Sequence, residues 1–147
     1  MGLDFKTQKK PSKRRRLLGL LMIILAVFII VGVYTTLAIA KPATLSGTVA
    51  RVVDGDTFKF EGLAPSIRIW GLDAPERGET GGSQATRTLK SLIAQQTLSC
   101  SIRDIDKYKR IVGQCWLRNG NDIASEMIVR GAASEYCYFS NNHYGTC

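Results

Sequence analysis

Residues 17–40 (LLGLLMIILAVFIIVGVYTTLAIA) run without a charged side chain, directly behind the basic stretch KKPSKRRR. A bilayer crossing takes about 20 apolar residues, so the pattern predicts a transmembrane helix over 17–40, with the basic tail 1–16 on the cytoplasmic side. Ala38-Ile39-Ala40 also fits a small-x-small cleavage site, which makes secretion after Ala40 the alternative. Past Lys41 the continuous apolar run gives way to shorter periods. GTVARVVDGDTFKF reads as two short strands around an Asp-Gly turn. Over residues 64–70, Ile67 and Ile69 share one strand face, and Ser66, Arg68 and Trp70 share the other. SQATRTLKSLIAQQ places Ala85, Leu89, Leu92 and Ile93 at helical spacing, with Ser83 as N-cap. LSCSIRD and RIVGQCWL form a hairpin centred between Lys107 and Tyr108. NDIASEMIVRG reads as a helix with Ile123, Met127 and Ile128 on one side and Gly131 as C-cap. The order β-β-β-α-β-β-α over residues 41–147 predicts a small closed barrel with packed helices.

Charge changes this picture less than its total suggests. The chain carries +8, but residues 1–40 hold seven basic residues against one acid, a net of +6, and residues 41–147 hold 13 against 11, a net of +2. The basic excess belongs to the N-terminal tail, and nucleic-acid binding by the domain has to come from particular side chains. All four cysteines lie beyond the apolar run, which suits an exported domain with disulfides. Three pairings are possible. Counting inward along the hairpin sets Cys100 against Cys115, and Cys137 with Cys147 would then close a C-terminal loop. A zinc site on Cys137, His143 and Cys147 competes with that loop, but it lacks a fourth ligand and a CxxC pair. His143 has no nucleophile partner in view and is assigned no role.

Two acidic turns carry the candidate chemistry. Asp54-Gly55-Asp56 taken alone is a hairpin turn. Asp73-Ala74-Pro75-Glu76 resembles a helix cap, but Arg77-Gly78-Glu79-Thr80-Gly81-Gly82 cannot continue a good helix, since each glycine costs about 1 kcal/mol there. Carboxylates at two neighbouring strand ends suit a hard cation such as Ca²⁺ or Mg²⁺. Arg68 offers a planar fork that matches phosphate oxygens, with Arg110 as a second cation. Glu76, three residues past Asp73, can act as general base for a water. Metal, cationic clamp and oriented water are the parts that phosphoryl chemistry needs.

VDGDT, IRIWGLDAPE, DKYKR and IVRGAAS, in that order, resemble the staphylococcal nuclease-like (thermonuclease) family over residues 44–139. The resemblance implies a five-stranded OB-fold barrel with helices and Ca²⁺-dependent hydrolysis of DNA or RNA. It implies Asp56, Asp73 and the Ala74 carbonyl as Ca²⁺ ligands, Asp54 as an acid behind them, and Glu76 as the base that activates water. Arg68 and Arg110 would bind the scissile phosphate. Lys107 and Tyr108 would reach a neighbouring phosphate, and Tyr136 and Tyr138 would lie beside the nucleotide. The family often has Tyr-Gly-Arg where this chain has Tyr108-Lys109-Arg110. A positive-φ position there would strain Lys109 and bear on the aim of Arg110.

These readings combine into a Ca²⁺-dependent nuclease held at a membrane by its N-terminal helix, with the domain outside the cytoplasm and no protein partner. The alternative is a catalytically inactive, membrane-tethered nucleic-acid-binding module on the same fold. A third possibility is an assembly domain with an idle site.

Overall fold

The computed structural model describes residues 13–36 and 42–147. They belong to two units, which divide between Lys41 and Pro42. In the first unit, helix α1 (Lys13–Thr36) begins inside the basic run rather than after it. Lys and Arg are good helix formers, which lets the helix extend backwards through them. Its apolar side chains, Leu17, Phe28 and Ile30 among them, are exposed. Among the described residues no helix is long and apolar enough to cross a membrane, so the fold does not carry the transmembrane expectation for 17–40. The tail before Lys13 and the Ala38-Ile39-Ala40 site lie outside the described residues.

The second unit runs β1 (Thr44–Val52), β2 (Thr57–Phe60), β3 (Ile67–Ile69), β4 (Leu72–Asp73), α2 (Gly82–Ile93), β5 (Thr97–Ile105), β6 (Ile111–Trp116), α3 (Ile123–Val129), β7 (Ser134–Glu135) and α4 (Cys137–Ser140). Five strands close a barrel in the order β1-β2-β3-β6-β5, the arrangement of an OB-fold. Closure depends on β1 serving two partners. Thr44 to Thr48 pair with β5, and Val49, Arg51 and Val52 pair with β2 across an irregularity between Val49 and Arg51. Such a bulge bends the strand, as a small barrel requires. Phe58, Ile67, Ile69, Leu89, Ile93, Leu98, Ile123 and Met127 fill the interior.

The predicted helices form, with a correction at one cap of each. Ala85, Leu89, Leu92 and Ile93 are the buried side chains of α2, but its cap is Gly81 and not Ser83, which sits one residue inside the helix. The cause is a close approach: a Cβ on Gly82 would lie 2.0 Å from the Glu76 carbonyl oxygen. The chain must therefore enter the helix through glycine. Asp122 caps α3 by accepting from the Ala124 and Ser125 amides. The α3 C-cap is Arg130 and not Gly131, which follows it at φ 64°; Gly131 and Ala132 donate to the Ile128 and Met127 carbonyls. β4, β7 and α4 are elements the periodicity did not predict.

In the hairpin, Cys100 stands opposite Cys115 as counted, and the two form a disulfide. Cys137 and Cys147 form the second. Both sulfurs of the competing zinc reading are thereby taken up in a covalent bond. The register then shifts between Ile102 and Asp104, so Arg103 is an extra residue in β5. At the hairpin tip Lys109 has φ 65°, the left-handed conformation that costs a side-chain-bearing residue about 1–2 kcal/mol.

Candidate active site

Asp56 is the residue before β2, and Arg68 lies directly across from Thr57 in the β2–β3 pairing. That register aims the Arg68 guanidinium at both acidic turns. Nη1 is 2.8 Å from Asp56 Oδ2, and Nη2 is 3.6 Å from Asp73 Oδ1. The turns are close because Gly55 lets them be: a Cβ there would lie 2.6 Å from the Ala74 Cβ and 2.7 Å from that of Ala85. The Asp54 side chain accepts from the Asp56 amide at 3.2 Å. Arg77, in the loop after Glu76, donates to the Val53 carbonyl and ties that loop to the first turn.

The two carboxylates differ in environment. Asp56 is 4% exposed, and burial pushes its carboxyl up to about 6. The Arg68 charge and the Thr57 hydroxyl, which donates to Asp56 Oδ1 at 2.8 Å, pull the other way, and the Asp54 carboxylate adds to the rise. Asp56 thus sits with less positive charge around it than a buried carboxylate needs. Asp73 is open, its side chain 60% exposed. Among the described residues no group of three or more acidic, His or Cys side chains could hold a metal. The donors present are two carboxylates, with the Ala74 carbonyl next in the chain. An all-oxygen set around an under-neutralised carboxylate fits a hard dication that takes its other ligands from water and substrate.

Arg110 reaches the same place from the hairpin. Its Nη1 is 3.5 Å from Thr57 Oγ1, its Nε donates to Asp106 Oδ2 at 2.7 Å, and its amide donates to Asp106 Oδ1 at 2.9 Å. Burial alone would raise the Asp106 carboxyl, but these bonds, the Arg110 charge and the Tyr108 amide outweigh it and hold the group low. The Arg110 guanidinium lies 5.4 Å above the Tyr108 ring. The strained Lys109 therefore does not turn Arg110 away, because Asp106 anchors it. Glu76 is exposed, and its carboxylate makes no hydrogen bond or ion pair among the described residues; only its main chain is engaged, with Glu79.

A cleft of about 710 Å³ opens beside these groups. Arg68, Arg110, Lys107, Tyr108 and Tyr136 line it. Tyr138 does not, being 85% exposed and stacked edge-on against Phe139, which takes the place in the wall. Sequence reading missed four contributors: Thr57 between the two arginines, Asp106 behind Arg110, Phe139, and Glu135. Asp106 had a signal, an acid four residues before a candidate arginine.

Glu135 had none. It pairs through β7 with Leu72, the neighbour of Asp73. Its carboxylate accepts from the Ser140 hydroxyl, the Tyr144 and Thr146 amides and the Thr146 hydroxyl at 2.6–3.0 Å. Burial would raise it, but the four donors outweigh that and hold it at about 2 rather than the ordinary 4.5. A depressed carboxyl stabilises the fold above its unfolded value and loses that contribution as pH falls from about 4.5 towards 2. Urea midpoints of the parent should therefore drop through that window. Glu135→Gln should start lower and fall less steeply, and an unchanged profile would remove Glu135 as the source.

Residues 66–146 match the family described as "Staphylococcal nuclease homologue". The chain is 36% identical over 96 residues to an "Uncharacterized endonuclease" of Escherichia coli, covering 64% of this chain and 63% of that one. It is 32% identical over 110 residues to a "Micrococcal nuclease" of Shigella flexneri, covering 66% of this chain and 62% of that one. The chain thus spans a little under two thirds of the length of these relatives. With four motifs, an OB-fold barrel and a family match over more than half its length, the chain belongs to the staphylococcal nuclease family.

Proposed function

We propose that this protein is a Ca²⁺-dependent nuclease that hydrolyses phosphodiester bonds of DNA or RNA outside the cytoplasm. The observation that carries the reading is Arg68, whose guanidinium reaches both Asp56 and Asp73 while Arg110 converges on the adjacent Thr57. Two cationic forks at the mouth of one cleft suit the non-bridging oxygens of a phosphodiester. Glu76, unpaired and open to solvent, takes the proton of the attacking water. Asp56, Asp73 and the Ala74 carbonyl would hold Ca²⁺, which when bound polarises a phosphate oxygen and offsets charge in the transition state. Asp54 orders the first turn from behind. Lys107 and Tyr108 suit a neighbouring phosphate, and Tyr136 a base.

The uncharged run 17–40 behind a basic tail supports tethering with the domain on the far side of the membrane. Both cysteine pairs are disulfides, which supports an oxidising compartment. The test uses the full chain with labelled single-stranded DNA, in Ca²⁺ and in excess EGTA, beside Glu76→Gln. The expected result is cleavage only with Ca²⁺, reduced about 10²- to 10⁴-fold in the variant, the range for a lost general base. Binding without cleavage in any metal would replace the nuclease with the tethered binding module.

A further inference from the structure

The same cleft has a further cationic group besides Arg68, Arg110 and Lys107. Arg103 lines it together with Trp70. It is the extra residue of the β5 irregularity, and bulges re-aim side chains in this way. Its guanidinium lies 5.0 Å over the Trp70 ring, and it donates to Gln114 Oε1. Gln114 is itself fixed. It is 6% exposed, and its Nε2 donates to Asp122 Oδ2 at 2.7 Å and lies 3.3 Å from His143 Nε2. With that amide nitrogen committed to Asp122, the amide oxygen must face Arg103. Asp122 is held in turn as the α3 cap and by the Tyr144 hydroxyl. His143 packs edge-on against Trp70 at 5.3 Å.

Arg103 forms no ion pair among the described residues; its partners are a neutral amide and an indole face. Of the two acids in the cleft wall, Asp106 is paired with Arg110, and Asp104 accepts from the Ile105 amide and forms no ion pair with Arg103. A planar cation, held in place and without an ion pair among the described residues, therefore lines the cleft that already holds Arg68 and Arg110. Trp70, the residue just after β3, stands two residues beyond Arg68 in the chain, and both line the cleft.

We propose that Arg103 and Trp70 form a further nucleotide subsite, taking a phosphate and base beyond those at Arg68 and Arg110 and at Lys107 and Tyr108. The site then reads a single strand of several nucleotides rather than one isolated phosphodiester. Single-strand grooves combine cations that track the backbone with flat surfaces on which bases stack, and an arginine plane serves as such a surface. This rests on the nucleic-acid reading of the cleft, but not on catalysis.

The test measures binding of the full chain in EGTA, where a Ca²⁺-dependent activity is silent. The probes are a labelled single-stranded hexathymidylate, a dithymidylate with one phosphodiester, and a hexamer duplex. The parent should bind the single-stranded hexamer at least tenfold more tightly than the dimer or the duplex. Arg103→Ala should weaken the hexamer about tenfold and the dimer less than twofold, and should lower the salt slope of hexamer binding by about 0.7. Arg103→Lys should restore the slope but not the full affinity, since the ammonium keeps the charge and loses the plane. Equal weakening of hexamer and dimer, no weakening of either, or a parent that does not prefer the hexamer would each overturn the subsite. A protein that shows the Arg103 pattern yet never cuts in Ca²⁺ would lose the nuclease reading and keep the subsite.

Discussion

Arg68→Ala lowers the cleavage rate by about 10³- to 10⁵-fold, the range for an arginine that stabilises charge on a transferring phosphoryl group. Arg68 serves two parties, since its guanidinium holds Asp56 and reaches Asp73. Removing it takes one fork from the phosphate and leaves the buried Asp56 with still less positive charge. The barrel should survive, because the Asp56 carboxyl already stands at about 6 and can take up a proton at modest cost. Loss should therefore fall on kcat, with the circular dichroism spectrum unchanged. Arg68→Lys should recover little, since an ammonium is a point charge that cannot bridge two carboxylates as a fork does. A folded Arg68→Ala variant that cuts within tenfold of the parent would remove Arg68 from the chemistry and leave it as a structural partner of Asp56.

The site was legible where function follows local motif, and hidden where it follows register. Asp56, Arg68 and Asp73 stand in two short motifs, and alternation alone aimed Arg68 away from Ile67 and Ile69. Its position against Thr57 needed the β2–β3 pairing. Counting along the hairpin placed Cys100 against Cys115, because both lie before the irregularity; past it the count fails by one residue. That single residue puts Arg103 over Trp70, and no periodicity announces it. β4 and β7 are two residues each and exist only as a pair, too short to leave a pattern. Glu135 looked like any surface acid, because its partners are amides and hydroxyls five to eleven residues further on. Of Tyr136 and Tyr138, only Tyr136 lines the cleft, for a similar reason. The one-turn helix α4 begins between them, and Phe139, not Tyr138, is brought into the wall.

Removing the hairpin disulfide by Cys100→Ala with Cys115→Ala costs about 3 kcal/mol, the chain-entropy value for a loop of this size, the two cysteines being 15 residues apart. Both side chains are fully buried in the core beside Phe58 and Ile67, so their lost packing adds to that figure. Marginal stabilities of 5–15 kcal/mol make such a loss large. In a domain of about 100 residues it lowers Tm by roughly 10–20 °C. Cys137→Ala with Cys147→Ala should act differently. That bridge closes a loop of separation 10 at the chain's end, among exposed residues already held by the Glu135 hydrogen bonds. Tm should fall less, while nucleic-acid affinity drops because Tyr136 and Phe139 are less firmly held in the cleft wall. Scanning calorimetry of both pairs, beside binding isotherms, separates the two roles. A small Tm change in the hairpin pair, or equal changes in both, would show that the barrel holds without its cross-link. The expected result makes the barrel dependent on oxidation, so that a chain held reduced would be short of both its stability and its cleft.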